Sequence, residues 1–77
     1  MRHGIVVDCD FGAVDAARRS SFLTWSDLAR LAGLSETTLY RMRHQGKVRV
    51  STLDRVATAC GVDLHLLLAG AGQGGVD

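Results

Sequence analysis

Three times along the chain, a hydroxyl residue able to open a helix is followed nine to eleven residues later by a glycine able to close one: Thr24 with Gly33, Ser35 with Gly46, and Ser51 with Gly61. A side-chain oxygen at the first position accepts from free N–H groups of the first turn. The glycine supplies the left-handed residue on which many helices end. Asp27 and Asp54 stand three residues after Thr24 and Ser51, where a carboxylate can return a hydrogen bond to the capping residue. This punctuation limits the chain to short helices. It predicts one over 25–32, one from Glu36 to Arg43 or His44, and one opened by Ser51 and running through Cys60.

The remaining segments extend the pattern. Asp10 reads as the cap of a first helix over 11–21, with Val14 and Ala17 on one side and Asp15, Arg18 and Arg19 on the other. Asp63 reads as the cap of a last short helix over 64–69. Residues 4–9, Gly-Ile-Val-Val-Asp-Cys, are β-branched and too short for an independent helix, so they read as a short strand or an ordered arm. Lys47 to Val50 alternates basic and apolar residues and reads as an extended loop or a short strand. The expected fold is all-α, a five-helix domain over 11–69, preceded by a strand or arm over 1–10 and followed by a flexible Gly-rich tail over 70–77. Leu28, Leu34, Leu39, Met42, Leu53 and Val56 recur at core spacing, and Cys60 continues the face of Leu53, Val56 and Ala57.

With 77 residues, such a chain holds one small domain and buries only about 60% of the surface its unfolded form exposes, so a partner subunit would help it. No apolar run approaches the ~18 residues that a membrane span needs. Cys9 and Cys60 lie in neither CxxC nor Cys/His spacing, which disfavours a disulfide framework and a metal site and makes a reducing cytoplasm the expected location. His3, His44 and His65 have no partners at metal or catalytic spacing. No nucleophile, base and orienter, and no phosphate loop, is visible, so neither an enzyme nor a cofactor is expected.

The charge is unevenly placed. Between Glu36 and Val50 the chain carries Arg41, Arg43, Lys47 and Arg49 against Glu36 alone, a local +3, while the whole chain sums to +1. The first fifteen residues hold Asp8, Asp10 and Asp15 against Arg2. A basic middle with acidic flanks matters more for nucleic-acid binding than the net figure does.

Two short helices joined by Gly33-Leu34-Ser35 have the arrangement in which the first helix crosses a DNA backbone and the second enters the major groove. Residues 23–42, Leu-Thr-Trp-Ser-Asp-Leu-Ala-Arg-Leu-Ala-Gly-Leu-Ser-Glu-Thr-Thr-Leu-Tyr-Arg-Met, resemble the lambda-repressor-like (Cro and phage repressor, XRE) helix-turn-helix family. Residues 51–68 resemble that family's fourth and fifth helices. The resemblance spans roughly 11–69 and implies binding of double-stranded DNA as a homodimer, typically for repression or Cro-like switching in a phage or prophage.

Carried over position by position, the resemblance makes Glu36, Thr37, Tyr40 and Arg41 the base-reading residues. A Glu can accept from cytosine N4, a Thr can touch a thymine methyl, and an Arg can bond guanine O6 and N7. Thr24, Trp25, Arg43, His44, Lys47 and Arg49 are then the phosphate-facing set, which would position the domain and make binding salt-dependent. Two departures stand out. Trp25 occupies a position where the family usually has a phosphate-binding Gln, and its bulk could instead pack on the first helix. The family often pairs an Arg of the first helix with a Glu at the end of the third; here Arg18 faces Arg43, so either Arg43 points to DNA or an acid such as Asp15 compensates.

Leu64, Leu66 and Leu67 crowd a terminal helix too thin to bury them all, which suggests a dimer interface. Two other readings remain open. Residues 38–50 also resemble the recognition helix and wing of excisionase or MerR-like recombination factors. Alternatively, Trp25, Leu31 and Tyr40 could form a protein-binding surface, as in an antitoxin or host-factor inhibitor.

Overall fold

The computed structural model describes residues 5–69; the expected tail over 70–77 and the first four residues lie outside that range. Strand β1 (Val6–Asp8) leads into helices α1 (Phe11–Ser20), α2 (Trp25–Ala32) and α3 (Glu36–Gln45), then strand β2 (Lys47–Arg49), helix α4 (Val50–Cys60) and a 3-10 turn (Leu64–Leu67).

The caps act largely where the hydroxyls and glycines place them. Asp10 accepts from the Ala13 N–H and opens α1. Thr24 and Asp27 form a reciprocal capping box at α2, and Gly33, at φ 71°, ends it. Ser35 accepts from the Thr38 N–H at α3, which ends at Gly46. The end of α1 is less usual. The Leu23 N–H donates to the Arg18 carbonyl at 3.1 Å and the Phe22 N–H to the Arg19 carbonyl at 3.0 Å, a Schellman closure whose left-handed position is filled by Phe22 at φ 59° rather than by glycine.

Two expectations are corrected. Helix α4 begins at Val50, with Arg49 as its cap residue and no side-chain cap bond, so Ser51 and Asp54 do not cap it. Its first N–H, that of Val50, donates instead to the Ile5 carbonyl at 2.9 Å. The domain also has four α-helices rather than five. After Leu67 the backbone turns extended at Leu68, which forms a bridge with Cys9, and the Ala69 N–H donates to the Asp8 carbonyl at 3.0 Å. The chain that would have continued a fifth helix is held by the N-terminal segment.

That segment is therefore an integral part of the fold. β1 pairs antiparallel with β2 in the register Val6↔Arg49, Val7↔Val48, Asp8↔Lys47. The Cys9 N–H donates to the Gly46 carbonyl at 2.9 Å and the Asp10 N–H to the Leu67 carbonyl at 2.8 Å. Residues 5–10 thus thread between the end of α3 and the 3-10 turn. Beneath them Val14, Leu28, Met42, Leu53, Val56 and Leu67 are fully buried, and Cys9 and Cys60 join the same cluster. Leu34 is half-buried at its edge. Among the described residues no polar or charged side chain is buried, so the core rests on apolar contact alone. No helix among them is long and apolar enough to cross a membrane.

Candidate nucleic-acid interface

Helix α3 is fixed from one side. Leu39 and Met42, three residues apart, are buried, and one helix face can turn inward only if the opposite face turns out. Glu36, Thr37, Tyr40 and Arg41, together with Arg43 and His44, are accordingly exposed. Tyr40 is 63% exposed and lies against His44, with ring centroids 4.2 Å apart and planes tilted by 46°. Ser26 Oγ donates to Glu36 Oε2 at 2.8 Å. This bond ties α2 to the first turn of α3 and aims the carboxylate at a site where the helix dipole also favours it.

Three cations converge beside the C-terminal half of α3. Arg41, Lys47 and Arg49, with Thr38, Gln45 and Thr52, border an open groove of roughly 540 Å³. Arg49 owes its place to β2, which holds Lys47 to Arg49 extended and leads directly into α4. Lys47 is engaged: its ammonium lies 2.8 Å from Asp8 Oδ1, its partner in the strand register, and that carboxylate raises the Lys47 pKa. The stretch from Lys47 to Arg49 is the strand that a winged reading requires, but its partner is the N-terminal strand and a helix follows at once.

On the other side of α3, Arg43 borders a second open groove of roughly 320 Å³ with Arg18, Arg19 and Asp15. Here both departures from the family pattern find their explanation. Arg18 Nη2 and Nε donate to Asp15 Oδ1 at 2.7 and 3.2 Å, and Nη1 donates to the Leu23 carbonyl at 2.8 Å. The hydrogen bond from Arg18, with the nearby charges of Arg19, Arg18 and Arg43, lowers the Asp15 pKa. The clasp is thus made within α1, and Arg43 is left exposed. Trp25 does pack on α1. Its ring stacks on Phe11, with centroids 5.1 Å apart and planes within 15°, while the Arg18 guanidinium lies 4.5 Å from the ring centroid on the cation–π side. Trp25 is therefore half-buried, and of the three residues offered for a protein-binding surface only Leu31 and Tyr40 are well exposed.

Thr24 is exposed. Its Oγ1 accepts from the Asp27 N–H at 3.0 Å, and the Thr24 backbone and hydroxyl together lower the Asp27 pKa. The three leucines expected at a dimer interface separate. Leu67 is 1% exposed and belongs to the core, so it is closed to a partner; Leu64 is partly buried against that core; Leu66 is 60% exposed. Residues that the sequence did not single out also matter here. Phe11 and Ser26 join Arg18, the clasp residue of the resemblance, in positioning Trp25 and Glu36.

Burial pushes the pKa of Cys9 and Cys60 upward, which disfavours their thiolates. Among the described residues no group of three or more His, Cys, Asp or Glu could hold a metal ion. A family model described as a Cro/C1-type HTH DNA-binding domain matches residues 17–68. No curated protein and no solved structure matches the chain.

Proposed function

Because this chain belongs to the Cro/C1-type helix-turn-helix DNA-binding family, we propose that it is a phage or prophage repressor or Cro-like regulator that reads a pseudo-palindromic operator as a homodimer. The observation that carries the reading is the two-sidedness of α3. Leu39 and Met42 lock it to the core, while Glu36, Thr37, Tyr40 and Arg41 stand exposed in one arc with cations at both margins.

In this reading the DNA-binding unit runs over 11–69 and α3 lies in the major groove. Glu36, oriented by Ser26, accepts from a cytosine amine; Thr37 and Tyr40 contact base edges or thymine methyls; Arg41 donates to a guanine. Thr24, Arg43, His44, Lys47 and Arg49 hold phosphates and set the register. Trp25 contributes as a wall beneath Arg18. Leu66 marks the surface on which two copies meet, with half-sites about one helical turn apart.

The test is selection of bound duplexes from random DNA, followed by affinity measurement on the selected site. Arg41→Ala should relax the preference at one position of each half-site by about 1–3 kcal/mol. Arg49→Ala should weaken binding to all duplexes alike. Failure of the wild-type chain to enrich any sequence at moderate salt refutes the proposal.

A further inference from the structure

The turn that closes α1 contains a residue whose conformation its own fold does not explain. Phe22 holds φ 59° at the Schellman position that glycine ordinarily fills, because a Cβ there is crowded. A side chain kept in such a place usually recovers the cost through packing. This ring does not, since Phe22 is 93% exposed. An observed outlier of this kind points toward function.

Beside it lies an open apolar recess. Ala13, Ala16 and Ser20 of α1, with Val62, Leu66 and Leu67, line an open groove of roughly 250 Å³. Ser21 Oγ donates to the Cys60 carbonyl at 2.9 Å, which fastens the Phe22 turn next to the Val62 edge of the groove. The groove lies on the side of α1 away from Asp15, Arg18 and Arg19, and hence away from α3. None of its lining residues is ionisable, so two copies can meet there without like-charge repulsion, and a charged partner would gain no attraction.

We propose that Phe22 and this groove are the knob and the hole of a two-fold dimer, the Phe22 ring of each copy seating between Ala16 and Leu66 of the other. A surface that carries both a knob and its hole is self-complementary, as a two-fold interface requires. The inference rests on the dimeric reading above and names its anchor. A buried aromatic ring removes ~150–250 Å² from water, so two such rings and two Leu66 side chains fall short of the ~1,200–2,000 Å² of a stable complex. The dimer is therefore weak in free solution and completes itself on adjacent half-sites.

Two variants of the full chain test this. Phe22→Gly removes the knob and relaxes the backbone; Ala16→Gln blocks the hole at an exposed position. Sedimentation equilibrium across micromolar to millimolar concentrations should show either change weakening self-association by about tenfold or more. Phe22→Gly should at the same time raise the thermal midpoint of dilute, monomeric protein, an effect opposite to its effect on assembly. On duplexes carrying one or two copies of the selected half-site, both variants should keep single-site affinity and lose cooperativity. Unchanged association, a lowered midpoint in Phe22→Gly, or a wild-type chain that stays monomeric even on two-site DNA overturns the proposal. A Phe22-dependent dimer with no sequence preference would support this interface while refuting the operator reading.

Discussion

Arg18→Met removes a guanidinium that joins three pieces of the chain while keeping the aliphatic stem, so its cost follows from the interactions that the guanidinium makes. The side chain is 17% exposed. Its bond to the Leu23 carbonyl, at 2.8 Å, is charge-assisted and partly sheltered, worth about 1.5–3 kcal/mol. Its position 4.5 Å from the Trp25 ring centroid adds about 0.5–1 kcal/mol, near the exposed end of the cation–π range. The pairing with Asp15 is partly solvent-screened and adds little beyond these two contacts. The expected loss is therefore about 2–4 kcal/mol, a drop in thermal midpoint on the order of 10–30 °C for a domain of this size. Urea unfolding followed by far-UV circular dichroism measures the loss, and the intrinsic fluorescence of Trp25 reports whether its stack on Phe11 has loosened. Arg19→Met is the control, because Arg19 is 72% exposed and pairs with the same carboxylate, at 3.2 Å. If Arg18→Met destabilises no more than Arg19→Met, or leaves the Trp25 emission unmoved, the role given to Arg18 is wrong.

The remaining predictions concern caps, pH and charge. Thr24→Ala should cost about 1 kcal/mol in urea unfolding because it empties a working cap, whereas Ser51→Ala should stay within about 0.5 kcal/mol because Ser51 caps nothing. Asp15 is held below the usual carboxylate range by the Arg18 hydrogen bond, and Asp27 by the backbone and hydroxyl of Thr24. Their folded pKa values lie beneath the unfolded value of about 3.9, so the stability they add is complete above it and disappears as pH falls through the folded values; Asp27→Asn should flatten that acid limb in a series of urea midpoints. Lys47 has the opposite sign: Asp8 raises its pKa, so its contribution is present below about 10.4 and is lost as pH rises through the folded value. On DNA, Asp8→Asn should release Lys47 and strengthen binding to every duplex, while Lys47→Ala should weaken all alike and reduce the salt slope by about one, measured by fluorescence anisotropy at several salt concentrations.

What the sequence revealed and what it hid divide along one physical line. Caps and stops written within three or four residues, such as Thr24 with Asp27 or Ser35 with Thr38, act locally and were legible. The start of α4 was not. Ser51 and Asp54 have the right spacing, yet the free N–H of Val50 is taken by the carbonyl of Ile5, forty-five residues away in the chain, and the helix starts two residues earlier than Ser51 as cap would allow. The shortened C-terminal turn has the same origin, since Leu68 and Ala69 are claimed by Cys9 and Asp8. In the candidate interface, the outward residues of α3 follow from helical spacing and were legible. The arrangement of Trp25 under Arg18 was not, because it depends on where α1 lies against α2.

The distribution of acids explains how a chain of net charge +1 can favour selectivity over raw affinity. Non-specific binding is a sum over phosphates and grows with every unopposed cation. Around α3 each cationic margin has a carboxylate: Asp8 paired with Lys47 on one side, and Asp15 between Arg18 and Arg19 on the other. These lower the phosphate attraction on any duplex, matched or not. Glu36 acts differently, because in the proposed reading it sits within the base-facing arc, oriented by Ser26. Against a phosphate or a keto oxygen it repels, and against a cytosine amine it accepts a hydrogen bond, so the same charge that weakens binding in general strengthens it at one kind of base pair. Specificity on such a surface comes from a few directed contacts on a weakly attractive background. For the proposed dimer, that is also the regime in which a weak two-fold contact between half-sites has the largest effect on occupancy, since neither half-site alone would bind tightly enough to be filled.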